Sequence, residues 1–86
     1  MGTIIGVGLG GLAYIEKTAK VLNEKGANRV TPYFIPATIA NLAAGQVSML
    51  YGFKGVNFST TSACASGAHA IGEAFRAIRH GYMDAC

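Results

Sequence analysis

One of the two cysteines of the chain, Cys64, lies at the position of the sequence that best suits a reactive nucleophile. It follows a strand-like run over 56–61, rich in β-branched residues, and precedes a helical pattern over 65–80. At the start of a helix, unpaired backbone N–H groups and the positive end of the macrodipole stabilise a thiolate. The small neighbours Ala63 and Ala65 leave space around the sulfur. Because cysteine is also a common buried residue, position and composition alone leave a packing role open.

The two histidines are the candidate partners for a Cys–His pair. His69 follows Cys64 by five residues, about 140° around a helix, and His80 by sixteen, about 24 Å along the axis. Neither is expected to reach the sulfur. We expect His69 to be packed and hydrogen-bonded, and His80 to occupy the helix C-terminus. The chain therefore supplies a nucleophile without its base, and catalysis would need groups from elsewhere.

A G-x-G-x-x-G pattern runs from Gly6 to Gly11, after a predicted strand and before a predicted helix. This is the form of a dinucleotide-binding turn, which also requires an acidic residue after a second strand. Glu24 falls at a helix end instead, and residues 30–36 contain no acid. A dinucleotide-binding domain is therefore the less favoured alternative, and we expect no cofactor. The glycines more simply allow the backbone to pass close to a helix or a ligand tail.

The apolar pattern predicts an α/β layer in the order β-α-α-β-α-(β), as one partial domain over residues 1–86 with no internal boundary. Pro32 and Pro36 are expected to keep a loop over 27–36 extended, and Thr38 to cap the second helix. The last helix has an apolar stripe of residues at helical spacing, which is expected to pack inward: Ile71, Ala74, Phe75 and Ile78. The predicted elements are a strand at 3–8, helices at 12–25 and 39–51, a strand at 56–61, a helix at 65–80 and the start of a strand within 81–86.

The composition indicates the size of the protein to which these elements belong. The chain is 51% hydrophobic and 13% charged, and neither 30–53 nor 56–72 contains an acidic or basic residue other than His69. Two uncharged stretches of this length are hard to bury in one small domain. The sequence therefore predicts strong self-association or, better, the inner piece of a larger protein.

Several classes of function are disfavoured. The net charge of +3 is scattered, without the basic stripe of a nucleic-acid-binding protein. The apolar stretch 35–51 is interrupted by Pro36, Asn41 and Gly45, which argues for a buried or interfacial helix and against a membrane span. Two cysteines without a C-x-x-C pattern argue against a metal site or a disulfide framework and fit a reducing, cytoplasmic setting. The first residues lack the basic start of a secretory signal.

Four segments, in their order and spacing, together resemble the β-ketoacyl-[acyl-carrier-protein] synthases, specifically the type II elongating enzymes of bacterial fatty acid synthesis. The resemblance implies a thiolase-like fold of αβαβα layers in a homodimer, with this chain as part of its N-terminal half. Val56 departs from the family, which usually has Pro there, but lies outside the site. The segments that carry the resemblance, over nearly the whole chain, are Ile5–Leu12, Pro32–Pro36, Asn41–Ser48 and Ser62–Gly72.

The resemblance implies a decarboxylative Claisen condensation. Cys64 would accept an acyl group from the phosphopantetheine of an acyl-carrier protein. Malonyl-carrier protein would then lose CO₂, and its carbanion would attack the Cys64 thioester, giving a chain two carbons longer. The Cys64 backbone N–H would be one oxyanion-hole donor. The second donor, two histidines and a lysine of the family lie downstream of these residues, so the 86 residues alone are expected to be inactive.

The resemblance also assigns roles to other residues. Leu9 gates the acyl pocket, and Ala63 is a further substrate-binding residue. Phe34 and Ile35 reach across the dimer to line the partner's pocket, and Arg29 faces the acidic carrier protein. The alternative from another class is a non-catalytic fragment that dimerises or binds carrier protein without turnover.

Overall fold

Two short parallel strands form the only sheet. The computed structural model describes residues 1–86 and pairs β1, Thr3–Gly6, with β2, Asn57–Thr60. Thr3 lies opposite Asn57 and Gly6 opposite Thr60. Parallel strands need a long crossover between them, which the helical segments supply. Because the pairing is parallel, β1 and β2 end at the same edge of the sheet.

Four α-helices and one 3-10 helix complete the chain. The predicted first helix, last helix and two strands are confirmed with shifts of two residues or fewer at their ends. The chain divides into two compact units, one of Met1–Leu9 with Ala40–Cys86 and one of Gly10–Ile39. None of the helices combines the length and the apolar composition that a membrane crossing requires. The helical elements are α1, Leu12–Lys25; the 3-10 helix, Ala27–Arg29; α2, Phe34–Thr38; α3, Leu42–Tyr51; and α4, Ser66–Arg79.

The unit of residues 10–39 contains α1, the 3-10 helix and α2. The helix α2 replaces part of the predicted extended loop, because Pro36 falls in a first turn, where backbone N–H groups have no helical acceptor. Thr38 ends α2 and does not cap the next helix: its hydroxyl donates to the Phe34 carbonyl at 2.8 Å. The Phe34 ring stacks on Tyr14 of α1, with ring centroids 6.3 Å apart.

The other unit places α3 and α4 against the sheet. Its buried core is small and consists of Ala44, Ala70 and Met83, with the polar residues Thr3, Thr60 and Ser66 also buried. Two side chains from the β2 strand tie it to the α3 region: Asn57 donates to the Ala44 carbonyl at 2.9 Å and Ser59 to the Ala40 carbonyl at 3.0 Å.

The predicted inward stripe of α4 is wrong for its large members. The helix lies close to the sheet and buries its small residues Ser66 and Ala70, while its bulky apolar side chains stay exposed. Ala74 alone of the stripe is half-buried. The three exposed members are Ile71, 73% exposed, Phe75, 60%, and Ile78, 41%.

The predicted final strand does not form. Residues 81–86 have no strand hydrogen-bonding pattern, although the Gly2 N–H donates to the Ala85 carbonyl at 2.9 Å. Met83 in the same segment is buried. The end of the chain is therefore attached beside β1 by one backbone bond and one buried side chain.

The close approach of β1 to α4 generates a stability prediction. A Cβ atom added at Gly6 would overlap the Ser66 backbone carbonyl, and backbone atoms cannot rotate away. Gly6→Ala is expected to lower the free energy of unfolding by more than about 3 kcal/mol, since overpacking forces the backbone to move. Urea unfolding followed by circular dichroism measures this.

The matched control is Gly72→Ala. A Cβ there meets nothing within 4 Å, and Gly72 lies inside α4. Alanine is expected to raise stability by about 0.5–1 kcal/mol through helix propensity. Equal stabilities of the two variants would contradict the packing described here.

Candidate active site

Cys64 lies on the turn between β2 and α4, which starts at Ser66. Its thiol is free and the residue is exposed, as the sequence predicts for a nucleophile at this corner. The preceding residue, Ala63, has φ 48° and is the only non-glycine residue with positive φ. The left-handed region is unfavourable for L-residues by about 1–2 kcal/mol. This strained residue turns the chain from strand to helix directly before the thiol.

Ser66 bridges the turn from its helix side. Its side chain is buried, and its hydroxyl accepts the Ser62 N–H at 2.8 Å and donates to the Ala63 carbonyl at 2.7 Å. The buried Thr60 hydroxyl donates to the Ser66 carbonyl at 3.0 Å. Each such bond contributes about 0.5–1.5 kcal/mol net. Together the three bonds offset the unfavourable conformation of Ala63.

The glycine-rich segment after β1 packs against the same turn. Gly6 meets the Ser66 backbone, and a Cβ at Gly8 would lie 3.1 Å from the Ala63 carbonyl oxygen. Gly11 adopts φ 67° at the start of α1 in the other unit. The predicted reason for these glycines, close passage of the backbone, is confirmed for Gly6 and Gly8.

The Cys64 residue carries two groups that could take part in acyl transfer. Besides the exposed thiol, its backbone N–H makes no hydrogen bond of ordinary geometry within the chain. A thiolate that attacks a carbonyl carbon creates negative charge on the carbonyl oxygen, and a free backbone N–H stabilises that charge. The turn can therefore supply both a nucleophile and one oxyanion donor for acyl transfer.

His69 is hydrogen-bonded, as predicted, but it is exposed and not packed. Its Nδ1 lies 2.6 Å from the Ser62 hydroxyl, and its Nε2 lies 3.8 Å from the Glu73 carboxylate. The same carboxylate oxygen lies 3.4 Å from Arg76 Nη1. His80 ends α4, as predicted. Neither histidine hydrogen-bonds to the Cys64 thiol.

The other predicted site residues fall in both units. Leu9 is 74% exposed and Ala63 is exposed, both in the unit that holds Cys64. In the other unit Phe34 is half-buried, Ile35 is 58% exposed and Arg29 is exposed.

Arg29 has no carboxylate partner and lines an open cavity of about 280 Å³. Lys17 of α1 lines the same cavity, together with uncharged side chains only. Sequence reasoning missed Lys17, because it lies twelve positions before Arg29, with the end of α1 between them. It also missed the hydroxyl groups that hold the Cys64 turn, for which the only signal was the density of Ser and Thr over 59–66. No cluster of three or more His, Cys, Asp or Glu residues that could hold a metal ion is present.

Comparison with known proteins gives consistent results. The family model described as beta-ketoacyl synthase, N-terminal domain, matches residues 1–86. The chain is 45% identical over 85 residues to 3-oxoacyl-[acyl-carrier-protein] synthase 2 of Synechocystis sp., covering 99% of this chain and 20% of the relative. It is 48% identical over 83 residues to the enzyme of the same name from Rhizobium meliloti, covering 96% and 20%. The chain thus spans about a fifth of the length of the curated relatives it matches.

A solved structure extends the comparison to the fold. It contains a type II PKS acyl-carrier protein in complex with its ketosynthase bound to the hexaketide. The match has a TM-score of 0.82 and 31% sequence identity, and it covers 93% of this chain and 23% of the other. The predicted fold class is confirmed as an α/β part of the thiolase-like ketosynthase fold. By its family match, its relatives and its fold, the chain belongs to the β-ketoacyl synthases, within their N-terminal domain.

Proposed function

We propose that the protein carrying this sequence elongates acyl chains in fatty acid biosynthesis, with Cys64 as the acyl-accepting nucleophile. The observation that carries the proposal is the exposed thiol on a strained turn, on a residue whose backbone N–H makes no hydrogen bond of ordinary geometry within the chain. The relatives named 3-oxoacyl-[acyl-carrier-protein] synthase 2 support the reaction class.

In the first half-reaction the Cys64 thiolate attacks the thioester carbonyl of an acyl-carrier protein. The C–S bond to Cys64 forms, the C–S bond to the phosphopantetheine breaks, and the pantetheine thiolate leaves and takes up a proton. The Cys64 N–H holds the developing oxyanion. In the second half-reaction malonyl-carrier protein loses CO₂, and the resulting carbanion attacks the acyl carbonyl and releases Cys64. The groups that assist decarboxylation are supplied from outside these residues.

The acyl chain and the carrier protein would contact other residues of the chain. Leu9 and Ala63, exposed in the unit of Cys64, would contact the acyl group. Phe34 and Ile35 would line the acyl pocket of the second subunit of a homodimer, which accounts for an exposed apolar side chain at position 35. Arg29, a cation without a carboxylate partner, would face the carrier protein. The complex of a ketosynthase with an acyl-carrier protein supports that class of partner.

A non-catalytic role in dimerisation or carrier-protein binding is the second candidate. It is favoured by one observation: no base within the chain is hydrogen-bonded to the thiol. Acyl transfer to Cys64 separates the two functions.

The first prediction from this proposal is a covalent acyl adduct on Cys64. Incubation of the whole protein with an acyl-carrier protein thioester is expected to add one acyl group, located by peptide mass spectrometry. Cys64→Ala is expected to abolish the adduct, because the alanine methyl is no nucleophile. Cys86→Ala, which removes the other exposed cysteine, is the matched control and is expected to retain it. An unmodified Cys64 in folded protein that still binds the carrier would support the non-catalytic function instead.

The second prediction concerns Arg29. Arg29→Glu is expected to raise the Kd for acyl-carrier protein about three- to tenfold at low salt, because a rim charge is reversed against an acidic surface. The effect is expected to shrink as salt screens it. Fluorescence anisotropy of a labelled carrier measures both. The control is Lys54→Glu, an exposed cation of the other unit, which is expected to leave the Kd unchanged. An equal loss in both variants would reveal a general charge effect and no docking at Arg29.

A further inference from the structure

Ser62 takes part in three hydrogen bonds at the Cys64 turn. Its N–H donates to the Ser66 hydroxyl at 2.8 Å, and its carbonyl accepts the Ala65 N–H at 2.9 Å. Its hydroxyl forms the third bond, at 2.6 Å, with His69 Nδ1. Two of these bonds use the backbone N–H and C=O groups of Ser62. The third reaches to a helix side chain that the acyl-transfer chemistry does not use.

The two nitrogens of the His69 ring have different neighbours. The Ser62 hydroxyl contacts Nδ1, and the Glu73 carboxylate, 3.8 Å from Nε2, lies one helical turn further on. Arg76 lies 3.4 Å from the same carboxylate. An exposed side chain ordinarily samples several rotamers, and ordering it is unfavourable by up to about 2 kcal/mol. The bond between Ser62 and His69 opposes that freedom and connects the first turns of α4 with the residue two before Cys64.

We propose that His69 is a positioning residue for Cys64 and that it acts through the Ser62 hydroxyl. Its part in catalysis rests on the proposed acyl transfer. The bond keeps Ser62 in place, so that Ala63 stays in the left-handed conformation and the Cys64 thiol and N–H approach the same carbonyl group. Without it, the turn samples conformations in which the two groups diverge. The loss falls on kcat for Cys64 acylation and leaves KM nearly unchanged.

Two isosteric substitutions separate the two ends of the ring. His69→Asn keeps a polar atom at the Nδ1 position, which can accept from or donate to Ser62. His69→Gln keeps a polar atom at the Nε2 position, near Glu73, and loses the contact with Ser62. The matched control is His80→Asn, at the far end of α4. Urea unfolding verifies that all three variants fold.

Backbone hydrogen exchange measures the local stability of the turn independently of catalysis. His69→Gln is expected to speed amide exchange over residues 62–66 about three- to tenfold, the size expected for loss of one hydrogen bond. His69→Asn and His80→Asn are expected to leave it within about twofold of the original protein. Unchanged exchange in folded His69→Gln would overturn the proposal, whether or not Cys64 accepts acyl groups.

Acylation kinetics test the catalytic part. In His69→Gln, kcat for acyl transfer to Cys64 is expected to fall about three- to tenfold with KM unchanged, and in His69→Asn to be restored. In a Ser62→Ala background His69→Gln is expected to have no further effect, because the bond is already absent. Additive effects, or equal loss in both His69 variants, would overturn the route through Ser62. An original protein that takes no acyl group at all would refute the proposed function, while exchange still decides the role of His69.

Discussion

The hydroxyl of Ser66 is the group on which the Cys64 turn depends. It accepts a backbone N–H from one side of the turn and donates to a backbone carbonyl on the other, and it does so while buried. A buried hydroxyl with both roles filled is strongly directional, since leaving either partner unpaired would be unfavourable by about 1–3 kcal/mol. This bridge allows Ala63 to remain in a conformation that alanine rarely adopts. The exposed thiol therefore stands on a rigid support.

The same support explains the sizes of residues around it. The end of β1 passes so close to the start of α4 that Gly6 has no room for a side chain. The buried contacts of α4 are correspondingly small, Ser66 and Ala70. Its large apolar residues Ile71, Phe75 and Ile78 are exposed in this chain. Since the curated relatives are about five times as long, exposed apolar surface of this kind is expected of one part of a larger fold.

How far the sequence predicts this structure differs from element to element. Helix α1 was predicted to the residue, because a regular apolar period and a terminal glycine act locally. The helix α2 was missed, because proline is compatible with a first helical turn as well as with an extended loop. The large residues of the α4 stripe are exposed and not packed inward, which was missed because periodicity identifies an apolar face without saying what covers it.

The candidate site shows the same division. The corner at Cys64 follows from the order of strand, small residues and helix. The bonds of Ser62, Ser66 and Thr60 do not, because hydroxyl groups bond to whichever backbone atoms the tertiary structure brings near. The positions of Leu9, Phe34 and Arg29 relative to a substrate were inferred from the family resemblance and stay predictions.

The positive φ of Ala63 has a consequence for how the nucleophile is specified. The kink is a property of the main chain, and the bonds that maintain it come from residues on either side of Cys64 and not from its side chain. The main-chain conformation at position 64 is therefore maintained without the side chain of that residue. A selenol or an alcohol at position 64 would therefore point in the same direction as the thiol. Differences in reactivity among the three groups would then reflect their intrinsic chemistry and not their placement.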